Sequence, residues 1–378
     1  MQRWIILGGM LGAALIAAWL SALVVAWVRR KAPRLGLLDR PGARKVHAEP
    51  IPLGGGLGIW AGTLGVIALG TVAVLVAPLI PGGSDWWGAS MADCLGGLRE
   101  KIPEIWGLLL GGTVLMLVGL ADDRVGLPWW MRLGIEFVVA AACVYWQGLH
   151  LTAFIDLPWL TGVLSVVWIV ALINSFNMLD NMDALSGGVA VICALVLSIM
   201  LLSSPADGGE QPQLFVAAML WILAGAIVGF LRFNWPPAKI FMGDAGSYFI
   251  GFWIAAATLL ATYTGYRGAH PHAVVAPLVV LAIPLYDMTS VVLIRLREGR
   301  SPFQADKKHF SHRLVELGMT KKQAVLTIYL ATIASSMGAW LLPRTDWIGA
   351  GFIVVQTGFI LGVIRVLESV GRQREQEP

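Results

Sequence analysis

Apolar stretches of membrane length alternate with short polar ones along most of this chain. Taking about 20 apolar residues as one crossing, the pattern predicts about eleven helices. They cover roughly 4–28, 53–77, 105–121, 129–148, 159–175, 184–203, 213–231, 247–264, 273–294, 323–342 and 347–367. Pro277 and Pro284 fall inside the ninth, where a membrane tolerates them, and Pro284 is placed to kink it one turn before Asp287. The expected class is all-α and polytopic, with one domain over 1–370 and a short polar tail, 371–378, that reads as disordered.

Composition strengthens this reading. Hydrophobic residues make up 57% of the 378 positions and charged ones only 13%, against roughly 25% charged in a soluble domain. A net charge of +4 suggests no nucleic-acid partner. Cys94, Cys143 and Cys193 show neither metal nor disulfide spacing. Residues 4–28 are too long for a signal-peptide core and run into Arg29-Arg30-Lys31, so they read as a retained first helix. Basic residues fix an orientation. Loops after every odd-numbered helix hold 22 of the 27 Lys and Arg residues, which places that side in the cytoplasm. The N-terminus is then outside and the C-terminus inside.

The polar interruptions fall into four groups, all on that basic side. The central one reads Asn174-Ser-Phe-Asn177-Met-Leu-Asp180-Asn-Met-Asp183-Ala-Leu-Ser-Gly-Gly188. Charge at the mouth of a bilayer is expensive and is usually retained for function. Asn177, Asp180 and Asp183 recur every three residues and can share a helix face. Steps of three drift by roughly 60° each, so Asn174 and Asp183 cannot share it. Either the helix breaks here or Asn174 does a different job.

Asp122-Asp123 end another apolar run; neighbours on a helix diverge by about 100°, so the two carboxylates should address different partners. Asp244, within Phe241-Met-Gly243-Asp244-Ala-Gly246-Ser247, opens the eighth helix. Glycines there allow close backbone approach, and exposed amides at a helix start attract anions. A carboxylate in that place also suits an N-cap. The basic loop 295–322 contains His309-Phe-Ser311-His312-Arg313; two histidines without a third or a cysteine argue against zinc. Each group alone has a plainer reading. These are a solvated turn, interfacial charges matched by Arg124, an N-cap and a basic interfacial loop.

In this order the groups resemble the polyprenyl-phosphate N-acetylhexosamine-1-phosphate transferase family, from about Asp39 to Lys322. The first cytoplasmic loop, Asp39-Arg-Pro, Arg44-Lys45-x-His47, Pro52 and Gly54-Gly55, is similar to the family's first motif in the branch using simple UDP-N-acetylhexosamines. The resemblance implies transfer of an N-acetylhexosamine 1-phosphate, GlcNAc-1-phosphate foremost, from the UDP-sugar to undecaprenyl or another polyprenyl phosphate. UMP would be released, as the first membrane step of cell-envelope glycan synthesis at a bacterial inner membrane with a cytoplasmic active site. It implies Asp122, Asp123, Asp180 and Asp183 as catalytic, and Asp244 with Asp180 as ligands of Mg²⁺, with Mn²⁺ the alternative. It implies Lys45, Asn177, Gly243, His309, His312 and Arg313 as substrate contacts. Expected partners are the UDP-sugar, the prenyl lipid and the bilayer, and a homodimer stays open.

Two departures from the family pattern bear on geometry. Asn181 and Ala184 stand where the family has glycines, and Ser311 where it has a histidine. Asn181 adopts left-handed dihedrals more readily than most residues, and Ser311 is expected to influence sugar choice. The serious competitor within the family is a phospho-N-acetylmuramoyl-pentapeptide transferase. A transporter would place its ionisable residues near the midplane, and a CDP-alcohol phosphotransferase would need further Asp and Arg residues that 184–203 lacks.

Overall fold

A computed structural model describes residues 2–39, 49–79, 96–151, 157–203, 213–261, 271–304 and 308–376. The principal helices are α1 (Gln2–Leu35), α2 (Gly55–Val76), α3 (Ile102–Val125), α4 (Trp129–Gln147), α5 (Pro158–Leu179), α6 (Leu185–Leu202) and α7 (Leu214–Asn234). They continue with α8 (Asp244–Leu260), α9 (Ala276–Val280), α10 (Ala282–Arg297), α11 (Phe310–Glu316), α12 (Lys321–Leu341) and α13 (Trp347–Gln376). Among the described residues, eight helices are long and apolar enough to cross a membrane, or nine if one bent pair counts as a single span. The protein is therefore an α-helical, multi-pass membrane protein.

Three of the expected crossings differ from that count. α8 is a shorter apolar helix, and α4, which carries Arg132 and Glu136, is not among the eight. The segment expected over 273–294 is broken, with a bend of 68° between its halves at Leu281. Pro284 explains the break, because a proline cannot donate to the carbonyl four residues earlier. That carbonyl is Val280's, and it accepts instead from the Cys193 thiol at 3.5 Å and the Ser336 hydroxyl at 3.4 Å. Neighbouring helices thus satisfy the freed backbone group, as a membrane interior requires. α13 runs on to Gln376, past position 371 where the sequence reads as tail; Gln, Arg and Glu are good helix formers.

The architecture is organised around α8. Its residues from Ala245 to Leu259 are all buried, and α2, α3, α5 and α7 pack around it. Lipid supplies little hydrophobic drive between helices, so close packing of small residues holds them together. A side chain at Gly56 would lie 2.2 Å from the Gly246 nitrogen, and one at Gly119 2.4 Å from the Asp244 carbonyl oxygen. These contacts bring α2 and α3 to the first turn of α8. A two-stranded hairpin, β1 (Leu38–Asp39) with β2 (Ile51–Pro52), adds a small sheet to the all-α expectation. It ties the loop before α8 to the start of α2, through Phe241 N–H to Pro52 O at 2.8 Å and Gly55 N–H to Phe241 O at 2.9 Å.

Candidate active site

The ends of α3 and α5 and the starts of α4, α6 and α8 meet on one face of the bundle. α3 carries Asp122 and Asp123 in its last turns, and their side chains diverge as helix geometry demands. Asp122 accepts from the Leu127 amide and the Arg132 guanidinium, both at 2.5 Å. Its cation is therefore Arg132 and not its sequence neighbour Arg124.

Asp123 accepts from the Asp244 amide at 2.9 Å and the Ala245 amide at 3.3 Å. The anion expected at the start of α8 is thus supplied by the protein itself, against amides that no helical carbonyl can reach. Gly243 makes this contact fit. Its φ is +74, and a side chain there would lie 2.3 Å from Asp123 Oδ2. The close approach expected of Gly243 is to Asp123.

Asp244 is the first residue of α8, with Gly243 as the cap residue, so the N-cap reading does not hold. Asp244 Oδ1 accepts from Asn177 Nδ2 at 2.7 Å, and Oδ2 lies 3.4 Å from the Arg132 guanidinium. Asn177 also donates to Ser247 Oγ at 3.1 Å. Asp122, Arg132, Asp244 and Asn177 therefore form one hydrogen-bonded line across four helices.

The central stretch breaks as its spacing required. α5 ends at Leu179 with Asp180 as its C-cap, and a turn leads to α6. Asn174 does the different job: it donates to buried Glu136 Oε2 at 2.5 Å, inside the bundle. Asp183 turns away from Asn177 and accepts from the Ala238 amide at 2.9 Å, securing the loop before α8. Asp180 has no such partner among the described bonds. Burial, then the charges of Asp123 and Asp183, push its carboxyl up to about 8. A recessed carboxyl under that pressure is one that a cation would relieve.

The residue in the left-handed region is Ala184, with φ 64, and not Asn181. Its amide donates to Asn234 Oδ1 at 2.7 Å, and Asn234 donates on to Ile240 O at 2.9 Å. Those bonds hold the turn in a conformation that suits glycine better. Asn181 instead donates to Met178 O at 2.8 Å and accepts from the Ser311 hydroxyl.

Ser311 is buried and faces that amide, so its hydroxyl is engaged within the protein. His309, also buried, lies with its ring centroid 6.4 Å from that of His312. Its Nδ1 lies 2.9 Å from Asp287 Oδ2. Arg313 is buried against Ser290, to which it donates at 3.0 Å, and so supports the fold of this loop. Lys45 lies outside the described residues.

Sequence reasoning missed Arg132, Asp287 and Ser247. A signal for the first existed: Arg132 follows Trp129-Trp130-Met131 at the head of an apolar run, where a lone cation is costly. Asp287 stood inside an expected crossing, where a carboxylate needs a partner just as much.

Among the described residues no three His, Cys, Asp or Glu side chains could together hold a metal ion. Mg²⁺ is usually bound by only one or two carboxylates with phosphate and water completing the shell. Asp180 and Asp244 are hard oxygen donors of that kind, so the residues present fit a magnesium site completed by a substrate.

The fold and site define a membrane-embedded glycosyl transferase of family 4, whose model matches residues 105–262. A probable undecaprenyl-phosphate N-acetylglucosaminyl 1-phosphate transferase of Bacillus subtilis is 28% identical, covering 90% of this chain and 88% of the relative. A decaprenyl-phosphate N-acetylglucosaminephosphotransferase of Mycolicibacterium smegmatis is 30% identical over 94% of this chain and 86% of its own. The undecaprenyl-phosphate alpha-N-acetylglucosaminyl 1-phosphate transferase of Yersinia pestis is 32% identical, with coverage of 85% and 82%. This chain belongs to the polyprenyl-phosphate N-acetylhexosamine-1-phosphate transferase family.

Proposed function

We propose that this protein transfers GlcNAc 1-phosphate from UDP-GlcNAc to a polyprenyl phosphate, giving polyprenyl-diphosphate-GlcNAc and UMP. The observation that carries the reading is the line Asp122, Arg132, Asp244 and Asn177, held at the ends of apolar helices. Carboxylates and one guanidinium gathered at helix ends suit a meeting of a membrane lipid's phosphate with a water-soluble nucleotide, and this supports the reading. The names of the relatives support GlcNAc over a MurNAc-pentapeptide as the sugar carried.

The reaction joins two anions. An oxygen of the lipid phosphate attacks the phosphorus next to the sugar, the pyrophosphate P–O bond breaks, and UMP leaves with that bridging oxygen. Catalysis of this kind rests on alignment and charge neutralisation. Asp244 and Asp180 would hold Mg²⁺ or Mn²⁺, which supplies charge neutralisation at the pyrophosphate. Asn177 fixes the Asp244 carboxylate through one oxygen. Arg132 is the cation placed to meet the lipid phosphate, and Asp122 is the carboxylate that can prepare it for attack. Asp123 has both oxygens on backbone amides of α8 and therefore orients Asp244.

The 22 basic residues on the site's side support a cytoplasmic active site at a bacterial inner membrane, where the UDP-sugar is available. Lys45, His309 and His312 are read as nucleotide-sugar contacts. The test is turnover by purified protein of a panel of radiolabelled UDP-sugars with undecaprenyl phosphate. UDP-GlcNAc should be the preferred donor; exclusive use of UDP-MurNAc-pentapeptide would reassign the chain within its family.

A further inference from the structure

Asp287 lies in the middle of α10, fully buried, and neither of its oxygens faces the carboxylate line. Both reach across to the loop that precedes α11. Oδ1 accepts from the Phe310 amide at 2.7 Å, and Oδ2 lies 2.9 Å from His309 Nδ1. His309 is the N-cap residue of α11 and makes no side-chain cap bond of its own. One carboxylate thus anchors the backbone at the start of α11 and holds the imidazole beside it.

We propose that Asp287 is a positioning residue that fixes the orientation and tautomer of His309 for the nucleotide-sugar. A carboxylate can only accept, so the ring must place a proton on Nδ1. In the neutral ring, Nε2 is then the bare acceptor; it has no hydrogen-bond partner among the described residues. A group on the donor with an O–H or N–H to give would find that acceptor already aimed. Which ring nitrogen carries the proton is set by the bond the other makes. The inference rests on the reading of His309 as a donor contact, and the experiment separates the two.

Asp287→Asn discriminates this role from simple anchoring. Its amide oxygen can still accept from Phe310, while its amide nitrogen faces the ring and donates to Nδ1, moving the proton to Nε2. ¹⁵N-histidine spectra of the detergent-purified protein, with the His309 signal assigned through His309→Gln, report the tautomer without substrate. The expected result is protonated Nδ1 in the wild type and protonated Nε2 in Asp287→Asn. The same protonation pattern in both would overturn the proposal.

Kinetics supply the second readout. Asp287→Asn should lower kcat/KM for UDP-GlcNAc roughly 10- to 100-fold, the worth of one charge-assisted hydrogen bond. The KM for undecaprenyl phosphate should not move. In a His309→Ala background the same substitution should cost almost nothing more. An equal loss in both backgrounds would make Asp287 a structural anchor only and overturn the proposal. A tautomer switch with unchanged kinetics would uphold the positioning role and remove His309 from the donor site.

Discussion

Ser311 donates its hydroxyl hydrogen to the side-chain oxygen of Asn181, joining the histidine segment to the carboxylate turn across 130 positions of sequence. The two departures from the family pattern on these segments are therefore partners. A histidine at 311 would meet Asn181 at close range, whereas a glycine at 181 would leave it room. Ser311→His alone is expected to lower kcat/KM about tenfold, and Asn181→Gly with Ser311→His to recover most of that loss. Contacting residues show non-additivity of this size. Because the serine faces Asn181, the ratio of UDP-GlcNAc to UDP-GalNAc turnover should hold constant. A shifted ratio would place residue 311 against the sugar.

Asp244→Asn removes a charge while keeping the shape and the acceptor for Asn177. Turnover should fall by two or more orders of magnitude, with thermal unfolding of the purified protein little changed. Chelation of divalent cations should abolish wild-type turnover, and added Mg²⁺ should restore it. Wild-type rate and magnesium dependence in Asp244→Asn would remove this residue from the metal site.

Arg132 bridges Asp122 and Asp244, so its loss leaves two carboxylates close together without a cation. Arg132→Ala should raise the KM for the lipid phosphate and lower kcat, together by roughly 10²-fold or more, since charge stabilisation in a water-poor site is worth several kcal/mol. Arg132→Lys keeps the charge but loses the fork geometry, and should fall between the two. An unchanged KM for the lipid in both variants would show that Arg132 serves only the carboxylates.

Ala184 tests the backbone. A left-handed alanine costs roughly 1–2 kcal/mol, and glycine loses about 0.5–1 kcal/mol of that gain to its greater freedom when unfolded. Ala184→Gly should therefore stabilise the protein by up to about 1 kcal/mol, seen as a higher unfolding temperature. Ala184→Val, with a branched side chain in the same conformation, should destabilise it. The reverse order would mean that packing of the buried methyl group outweighs the dihedral.

Much of the fold was legible because membrane length and apolar runs are strong signals. The apolar pattern located α5, α6 and α7 to within a few residues. Span number was less legible, since α8 has only 17 residues and is enclosed along nearly its whole length by neighbouring helices. The carboxylate site was legible as a set of charges that lipid would not tolerate without a purpose. Its internal wiring was not. Nothing in the spacing of Asp123 and Gly243 shows that one closes against the other, because that contact depends on how α3 crosses α8. Arg132 and Asp287 were hidden for a related reason: each sits in an apolar run and is explained only by a partner on another element of the fold.

Orientation can be checked separately. Reporter fusions at Arg124, Gly243 and Ser311 should report the cytoplasm, and fusions at Gly148 and Thr345 the exterior. A cytoplasmic signal at Gly148 would invert the proposed topology.

The most direct test of phosphosugar transfer uses UDP-GlcNAc carrying ³²P in its β-phosphate, supplied with undecaprenyl phosphate to the purified protein and Mg²⁺. Label should pass into an organic-extractable lipid diphosphate, with one UMP released for each lipid labelled, and Asp244→Asn should do neither. Release of labelled UDP, with the sugar alone reaching the lipid, would contradict the account, because it would mean cleavage at the sugar carbon and not at phosphorus.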